Sequence, residues 1–411
     1  MTTSEPTTAA APERHARRKP RRGNPWRPSI HGIALVTRIE LLRRRPSSKG
    51  YIAYGIMLAI IIGLGVLVSV MSPDGKDSTP MELVLILVLG AGVLIGPSLS
   101  ATSINGDSGE GVLAPLQMTH LTAGDIAFGK LLSSWLVSFA VLVTTTPFLI
   151  YAFSRSGWHW DELLIVLAVI LFVVLTSSAI GLAWSAIAAR SVASVSLAHL
   201  TTGFLVLGSL VLYAFSGALV SETVVQNDRY IDYPRLSVEQ QAALDDVYQS
   251  GDFSNLDVDS LVCTNQSYEY GVAHTEKTAW LLLINPGVMI GEFSPIVSPT
   301  TFDEDGRARP GLFAQIHAGV SSARIGPTEA DLTSRSYDEC ANIAAMAAGG
   351  EQEYVDDGQD WEARQEERAT YPRAPWIGLG LQGFLLLGSM IIVVRRLRVP
   401  YKKLRVGTRV A

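Results

Sequence analysis

The residues whose types and spacing come nearest to chemistry lie at Gly124–Lys130, inside the stretch LTAGDIAFGKLL. They spell G-x-x-x-x-G-K, the frame of a phosphate-binding loop. Such a loop needs a buried strand before it, backbone N–H groups aimed at phosphate, and a Ser or Thr after the lysine to hold Mg²⁺. Here Leu131 follows the lysine, and the preceding PLQMTH is no strand. The match fails as a nucleotide site on both counts. Other chemistry is sparse. The seven histidines are scattered without an H-E-x-x-H pair, and neither G-x-S-x-G nor C-x-x-C occurs. The densest polar cluster is His159–Glu162, in a short loop beside Trp158 and Trp160. Those two tryptophans read as anchors at a membrane interface. The cluster itself reads as a solvated loop before it reads as a metal site. With no convergent nucleophile, base or metal set, a membrane-embedded enzyme ranks last among the functions.

The elements that would position such residues follow from composition. The 411 residues are 48% hydrophobic and 17% charged, with a mean hydropathy of +0.26. A soluble chain of this length carries more charge. The apolar residues gather in six runs, each near the ~20 residues a bilayer crossing requires: Tyr51–Met71, Leu83–Thr102, Leu131–Phe153, Leu163–Ile187, Val192–Val220 and Pro375–Val394. Runs such as LLIVLAVILFVVL are apolar all round, unlike a helix with one face in water. The first run starts after residue 50, so it is not a cleaved signal peptide. The expected fold is an all-α integral membrane protein with six transmembrane helices and a large extracytoplasmic insertion between helices five and six.

Flanking charge sets the orientation. The first 50 residues hold twelve bases against Glu5, Glu13 and Glu40, and the tail after Val394 holds seven bases and no acid. Both termini are therefore expected in the cytoplasm, which six crossings satisfy. Residues 103–130 then form the largest cytoplasmic loop. Residues 221–374 fall outside the cytoplasm; between Ser221 and Arg373 there are 27 acids and 10 bases. This segment is long enough to fold on its own, and VEQQAALDDVYQ within it reads as a helix. It also carries both cysteines, Cys263 and Cys340. An oxidising compartment favours their pairing over two free thiols, while their spacing leaves the matter open because a bridge depends on Cα atoms coming within reach.

Residues 1–29 read as a disordered basic cytoplasmic tail, drawn to anionic lipid rather than to nucleic acid. Residues 30–46 read as an amphipathic interfacial helix with Ile33, Val36, Ile39 and Leu42 or Arg43 along one stripe, stopped at Pro46. Residues 395–411 form a second basic tail. The run in residues 278–297 is too short to span and is broken at Asn285–Pro286. It reads as a re-entrant or interfacial segment, with a core helix of the external region as the alternative. Counting it as a span would put the basic C-terminus outside. His199 is the one titratable side chain well inside an expected span. It is a functional candidate by that position, or a group reaching headgroups from the span's end. No charged residue sits at mid-membrane, so the relay of a coupled secondary carrier is not visible.

The inner loop, GDSGEGVLAPLQMTHLTAGDIAFGKLLSSW, resembles the signature region of the membrane subunits of type-2 ABC transporters. Glu110-Gly111-Val112-Leu113 matches the acidic residue and Gly-Thr-Leu-like step of that family, with Val112 where Thr is usual. Thr119-His120-Leu121-Thr122 matches the middle. Gly124-Asp125-Ile126-Ala127-Phe128-Gly129-Lys130-Leu131 matches the last part, with Asp125 where Glu is usual. TRIELLRRRPSSKGYI resembles the family's amphipathic connecting helix, and LLLINPGVMIGEFSP its Asn-Pro segment before the last span. The resemblance leaves residues 221–275 and 300–373 without a counterpart.

The resemblance implies a permease subunit of a bacterial cytoplasmic membrane, in the lipid bilayer and without an ATPase site of its own. Glu110, Gly111, Leu113, Leu121, Asp125, Gly129 and Lys130 would couple it to a separate ATP-binding subunit, which would carry ATP and Mg²⁺. This chain itself would bind no cofactor. A second permease chain, like or unlike, would complete a dimer, with export as the direction and Asn285–Pro286 as an external gate. The competing reading is a membrane-anchored receptor or sensor acting through its extracytoplasmic domain.

Overall fold

The computed structural model describes residues 24, 26–44, 48–71, 78–295, 311–328, 337–349, 364 and 366–398. The basic tails expected at 1–29 and 395–411 lie almost wholly outside these residues, as do 296–310, 329–336 and 350–363 of the acidic segment.

Six helices are long and apolar enough to cross a membrane. They are Ser48–Met71, Thr79–Ser100, Ala123–Ser156, Trp160–Ile187, a composite running from Ser191 to Leu219, and Pro375–Leu397. The chain is thus a multi-pass membrane protein. The second, third and fourth spans share one apolar core, in which Leu85, Ile170 and Val166 are fully enclosed. The first and fifth spans pack less and turn rows such as Ile52, Ile56, Ile60 and Leu207, Val211, Phe215 outward. Those rows suit contact with lipid tails.

The third span begins eight residues before its apolar run, at Ala123 rather than Leu131. A capping box explains the difference. Thr122 Oγ1 accepts from Asp125 N at 3.1 Å and Asp125 Oδ2 accepts from Thr122 N at 2.8 Å, satisfying donors that an uncapped helix would leave bare. The G-x-x-x-x-G-K stretch is therefore the first two turns of a helix. The fifth span is interrupted by a π turn at Phe204–Gly208. Trp158 is not an interface anchor. It is 5% exposed and packs on Phe313 with ring centroids 6.1 Å apart, whereas Trp160 is exposed.

Between the fifth and sixth spans the all-α expectation fails. Ser221–Ile231 and Cys263–Ala273 pair antiparallel over their whole length, from Ser221 opposite Ala273 to Ile231 opposite Cys263. Both segments are rich in Thr, Val and Tyr, types that suit a half-buried pleat. Their polar content and their partner some forty residues away hid the pairing from a local reading. Helix Val238–Ser250 and helix Glu339–Ala347 close over this ribbon. Together they bury Ile231, Leu236, Leu244 and Ile343 in a small core of their own. Cys263 and Cys340 are bonded to each other, with Cα atoms 6.6 Å apart.

Two further short helices, Trp280–Leu283 and Pro286–Phe293, make a broken hairpin. It packs against the fourth, fifth and sixth spans and against helix Leu312–Ile325. Leu282, Leu283 and Val288 sit in one core with Val320 and Ala323. The break at Asn285–Pro286 thus lies among the spans rather than inside the disulfide-linked ribbon domain.

Candidate functional site

One end of the bundle collects the N-terminal helix Ile30–Arg43, the short helices Ser103–Gly109 and Leu113–Met118, the start of the third span and the end of the sixth. Gln117 Nε2 donates to Leu397 O at 3.1 Å, which ties the loop to the sixth span. Lys130 lies at the centre. Its side chain is fully enclosed, and Nζ donates to Glu40 Oε1 and Asp107 Oδ2, both at 2.5 Å, and to Ser103 O at 3.1 Å. An ammonium has three protons, and each finds an acceptor.

Arginines extend the cluster outward. Arg43 donates to Asp107 Oδ1 at 2.9 Å and to Glu110 Oε2 at 3.0 Å. Its hydrogen bond to Asp107 raises its pKa above the ordinary value. Arg44 reaches Ser134 Oγ at 2.9 Å and Ser103 Oγ at 3.1 Å, and its Nε lies 3.5 Å from Glu40. Burial lowers its pKa, against the pull of Glu40. Three carboxylates thus face three cations, which is the balance a desolvated cluster needs.

A second tie fastens the start of the N-terminal helix. Asp125 Oδ1 accepts from Ser29 N at 2.5 Å, while Ser29 Oγ accepts from Gly32 N at 3.0 Å and caps that helix. Gly129 lets the two helices touch. A Cβ there would lie 2.5 Å from Val36 Cβ, closer than packed carbons approach. The N-terminal helix accordingly turns Gly32, Val36, Thr37 and Glu40 to the protein and leaves Leu35, Ile39 and Leu42 exposed. The stripe read from its sequence is split between two surfaces.

Among the loop residues singled out from sequence, Glu110 and Gly111 are exposed. Gly111 has φ +73°, the left-handed conformation that glycine adopts without strain. Leu113, Asp125, Gly129 and Lys130 are buried, and Leu121 is half-buried. The open face is made by Glu110, Val112, Pro115, Met118 and His120. Asp125 points away from it, toward Ser29. Sequence reasoning missed Glu40, Asp107 and Ser103. One signal was present: Glu40 is the only acid between Glu13 and Asp74, among twelve bases.

The broken hairpin has its own polar centre. Asn285 Oδ1 accepts from Gly287 N at 2.8 Å and Val288 N at 3.3 Å, capping the second short helix. Its Nδ2 donates to Val206 O at 2.6 Å and Ser209 Oγ at 3.0 Å. Val206 belongs to the π turn of the fifth span, so one buried side chain joins the break in the hairpin to the irregularity in that span.

Near the far end of the bundle, Glu292 Oε1 meets His317 Nδ1 at 2.8 Å, and Oε2 accepts from Ala374 N at 2.8 Å beside the sixth span. Glu82 Oε2 accepts from Phe313 N at 2.8 Å. These buried groups tie helix Leu312–Ile325 to the hairpin and to the second span; the sequence reading missed all three side chains. His199 lies 3.0 Å from Ser98 Oγ and is half-buried. The His159–Glu162 cluster is a helix start, with Glu162 Oε2 accepting from His159 N at 2.8 Å. Among the described residues no group of three or more His, Cys, Asp or Glu is placed to hold a metal ion.

A multi-pass membrane bundle with a charge-locked loop at one end and a ribbon domain beyond its fifth span is the class these features define. No family model matches the chain, and no curated protein or solved structure matches it significantly.

Proposed function

We propose that the chain is the permease subunit of an ABC transporter, an exporter whose ATP is hydrolysed by a separate subunit docked on the loop at residues 103–130. The observation that carries this reading is the enclosed Lys130 between Glu40 and Asp107. It joins the loop, the N-terminal helix and the third span into one unit. A force applied at the exposed face of Glu110, Val112 and Met118 would therefore move the third span rather than bend a slack loop. The Asn285 link between the hairpin and the π turn supports a gate at the other end, because both elements would shift together. A dimer of permease chains and a path along their interface complete the proposal.

A pull-down tests it. The full chain, tagged at its C-terminus, is solubilised gently and its co-purifying proteins are identified by mass spectrometry. Val112→Glu combined with Met118→Glu changes only exposed side chains outside the charge cluster. An ATP-binding cassette subunit recovered with wild type and lost with the double variant is the expected result. Recovery of no ATPase, under conditions that hold a known transporter together, overturns the proposal. The receptor or sensor reading then leads, favoured by the separate core and disulfide of the ribbon domain.

A further inference from the structure

A groove of about 460 Å³ runs between the N-terminal helix and the third span, lined by Ala34, Thr37, Arg38, Leu41, Leu42 and Leu132. Five of the six residues lie on one side of the N-terminal helix, at helical spacings of three and four. Leu132 is the second residue of the apolar run that starts at Leu131, so the groove lies at the edge of the apolar part of the third span. Its walls are apolar apart from Thr37 and Arg38.

Arg38 is the unusual member. Of the three arginines between residues 30 and 44, Arg43 and Arg44 are taken up by Asp107, Glu110 and Glu40. Arg38 is exposed and has no hydrogen bond or ion pair among the described residues. It stands at an apolar groove, next to exposed Leu35 and Ile39. A guanidinium in that setting suits a phosphate oxygen, while the leucines suit a hydrocarbon chain. Among the described residues around it, Lys130, Arg43 and Arg44 are matched by Glu40, Asp107 and Glu110, so the charge of Arg38 is left over and selects an anionic ligand.

We propose that this groove seats one anionic glycerophospholipid, its phosphate on Arg38 and an acyl chain along Leu41, Leu42 and Leu132. The site is independent of the transporter reading and would stand if that reading fell. The bound lipid would fill the seam where the N-terminal helix meets the third span, and the occupancy of the seam would follow the anionic content of the membrane.

The test uses the disulfide. Cys263 and Cys340 are the chain's two cysteines and are bonded to each other, so Ile39→Cys, exposed beside Arg38 and outside the lining of the groove, supplies the reactive thiol. The full chain is labelled there with bimane and placed in phosphatidylcholine nanodiscs. Those discs contain a minor share of doxyl-labelled phosphatidylglycerol or, in parallel, doxyl-labelled phosphatidylcholine. The expected result is about fivefold stronger binding of the phosphatidylglycerol, read from the quenching curves, as one basic side chain near an anionic surface provides. Arg38→Gln brings the two lipids to parity, and Arg38→Lys keeps the preference. A label at Phe384→Cys, exposed on the sixth span and away from the groove, shows no preference. Equal quenching by both lipids at position 39, a preference that survives Arg38→Gln, or the same preference at position 384 would each overturn the proposal.

Discussion

Lys130 and Asp107 face each other at 2.5 Å, in a place where the lysine side chain has no contact with solvent. Glu40 completes the set at the same distance. Removing one partner from a buried ion cluster is far more damaging than replacing all of it, because the remaining charges keep their desolvation cost. Lys130→Met is therefore expected to destabilise the protein by about 3 kcal/mol, the low end for such a loss since Arg43 and Arg44 still face the two acids. Lys130→Met/Glu40→Gln/Asp107→Asn should recover most of that. Thermal unfolding in detergent, followed by tryptophan fluorescence, gives the comparison. A single variant as stable as wild type would mean that the cluster contributes nothing.

The contact of Gly129 with Val36 leaves no room for a methyl group. Gly129→Ala should push the N-terminal helix off the third span and cost about 1–3 kcal/mol, the usual range for overpacking. Val36→Gly in the same chain removes the Cβ that it meets and should relieve the clash. Hydrogen exchange along residues 30–43 reports the separation directly, and unchanged protection in the single variant would contradict it.

Asn285 is expected to matter beyond its role as a cap. In Asn285→Ala the N–H groups of Gly287 and Val288 lose their acceptor, and the carbonyl of Val206 loses a donor. A lost cap alone costs about 0.5–2 kcal/mol, and the Val206 carbonyl and Ser209 hydroxyl, which lose the donor they share, add to that. Amide exchange at 286–290 and at the π turn should rise together. Acceleration at the hairpin alone would break the proposed link to the fifth span.

The disulfide closes a sequence separation of 77 residues. Loop-closure arguments assign such a bridge about 4 kcal/mol. Because the ribbon domain has a separate core, Cys263→Ser/Cys340→Ser should loosen that domain and leave the spans intact. Limited proteolysis followed by peptide mapping distinguishes cuts near residues 251–262 from cuts between spans.

Asp228 gives the ribbon domain an acid-sensitive point. Burial pushes its carboxyl upward, but hydrogen bonds from Tyr337 N, Gln226 and Tyr230 outweigh that and hold it below its ordinary value. A folded pKa below the unfolded one, which is ~3.9, means that the stabilisation is complete above that pH. It is lost as pH falls through the folded value. Asp228→Asn should weaken the domain at neutral pH and flatten its acid limb. The readout is exchange at Tyr337 measured across pH; an acid limb identical to that of wild type would exclude Asp228 as its source.

The sequence by itself determined the six spans, the amphipathic helix before them and the break at Asn285–Pro286. Each depends on local pattern: apolar length for the spans, three- and four-residue periodicity for the helix, a Pro that cannot continue one. It also argued against a phosphate loop at Gly124–Lys130, since Leu131 stands where a Ser or Thr would hold Mg²⁺. Tertiary structure decided the rest. Lys130 reads as a headgroup or carboxylate contact until Glu40, ninety residues earlier, and Asp107 are brought against it. Strands Ser221–Ile231 and Cys263–Ala273 are too polar for their pattern to announce a sheet, and only pairing across the intervening helix makes them one. Glu82, Glu292 and His317 stand far apart in the chain, and burial among helices gives each its partner. Periodicity is a property of neighbours and survives in the sequence. A charge lock is a property of distance in space, and its members are chosen by the packing that first removes water from around them.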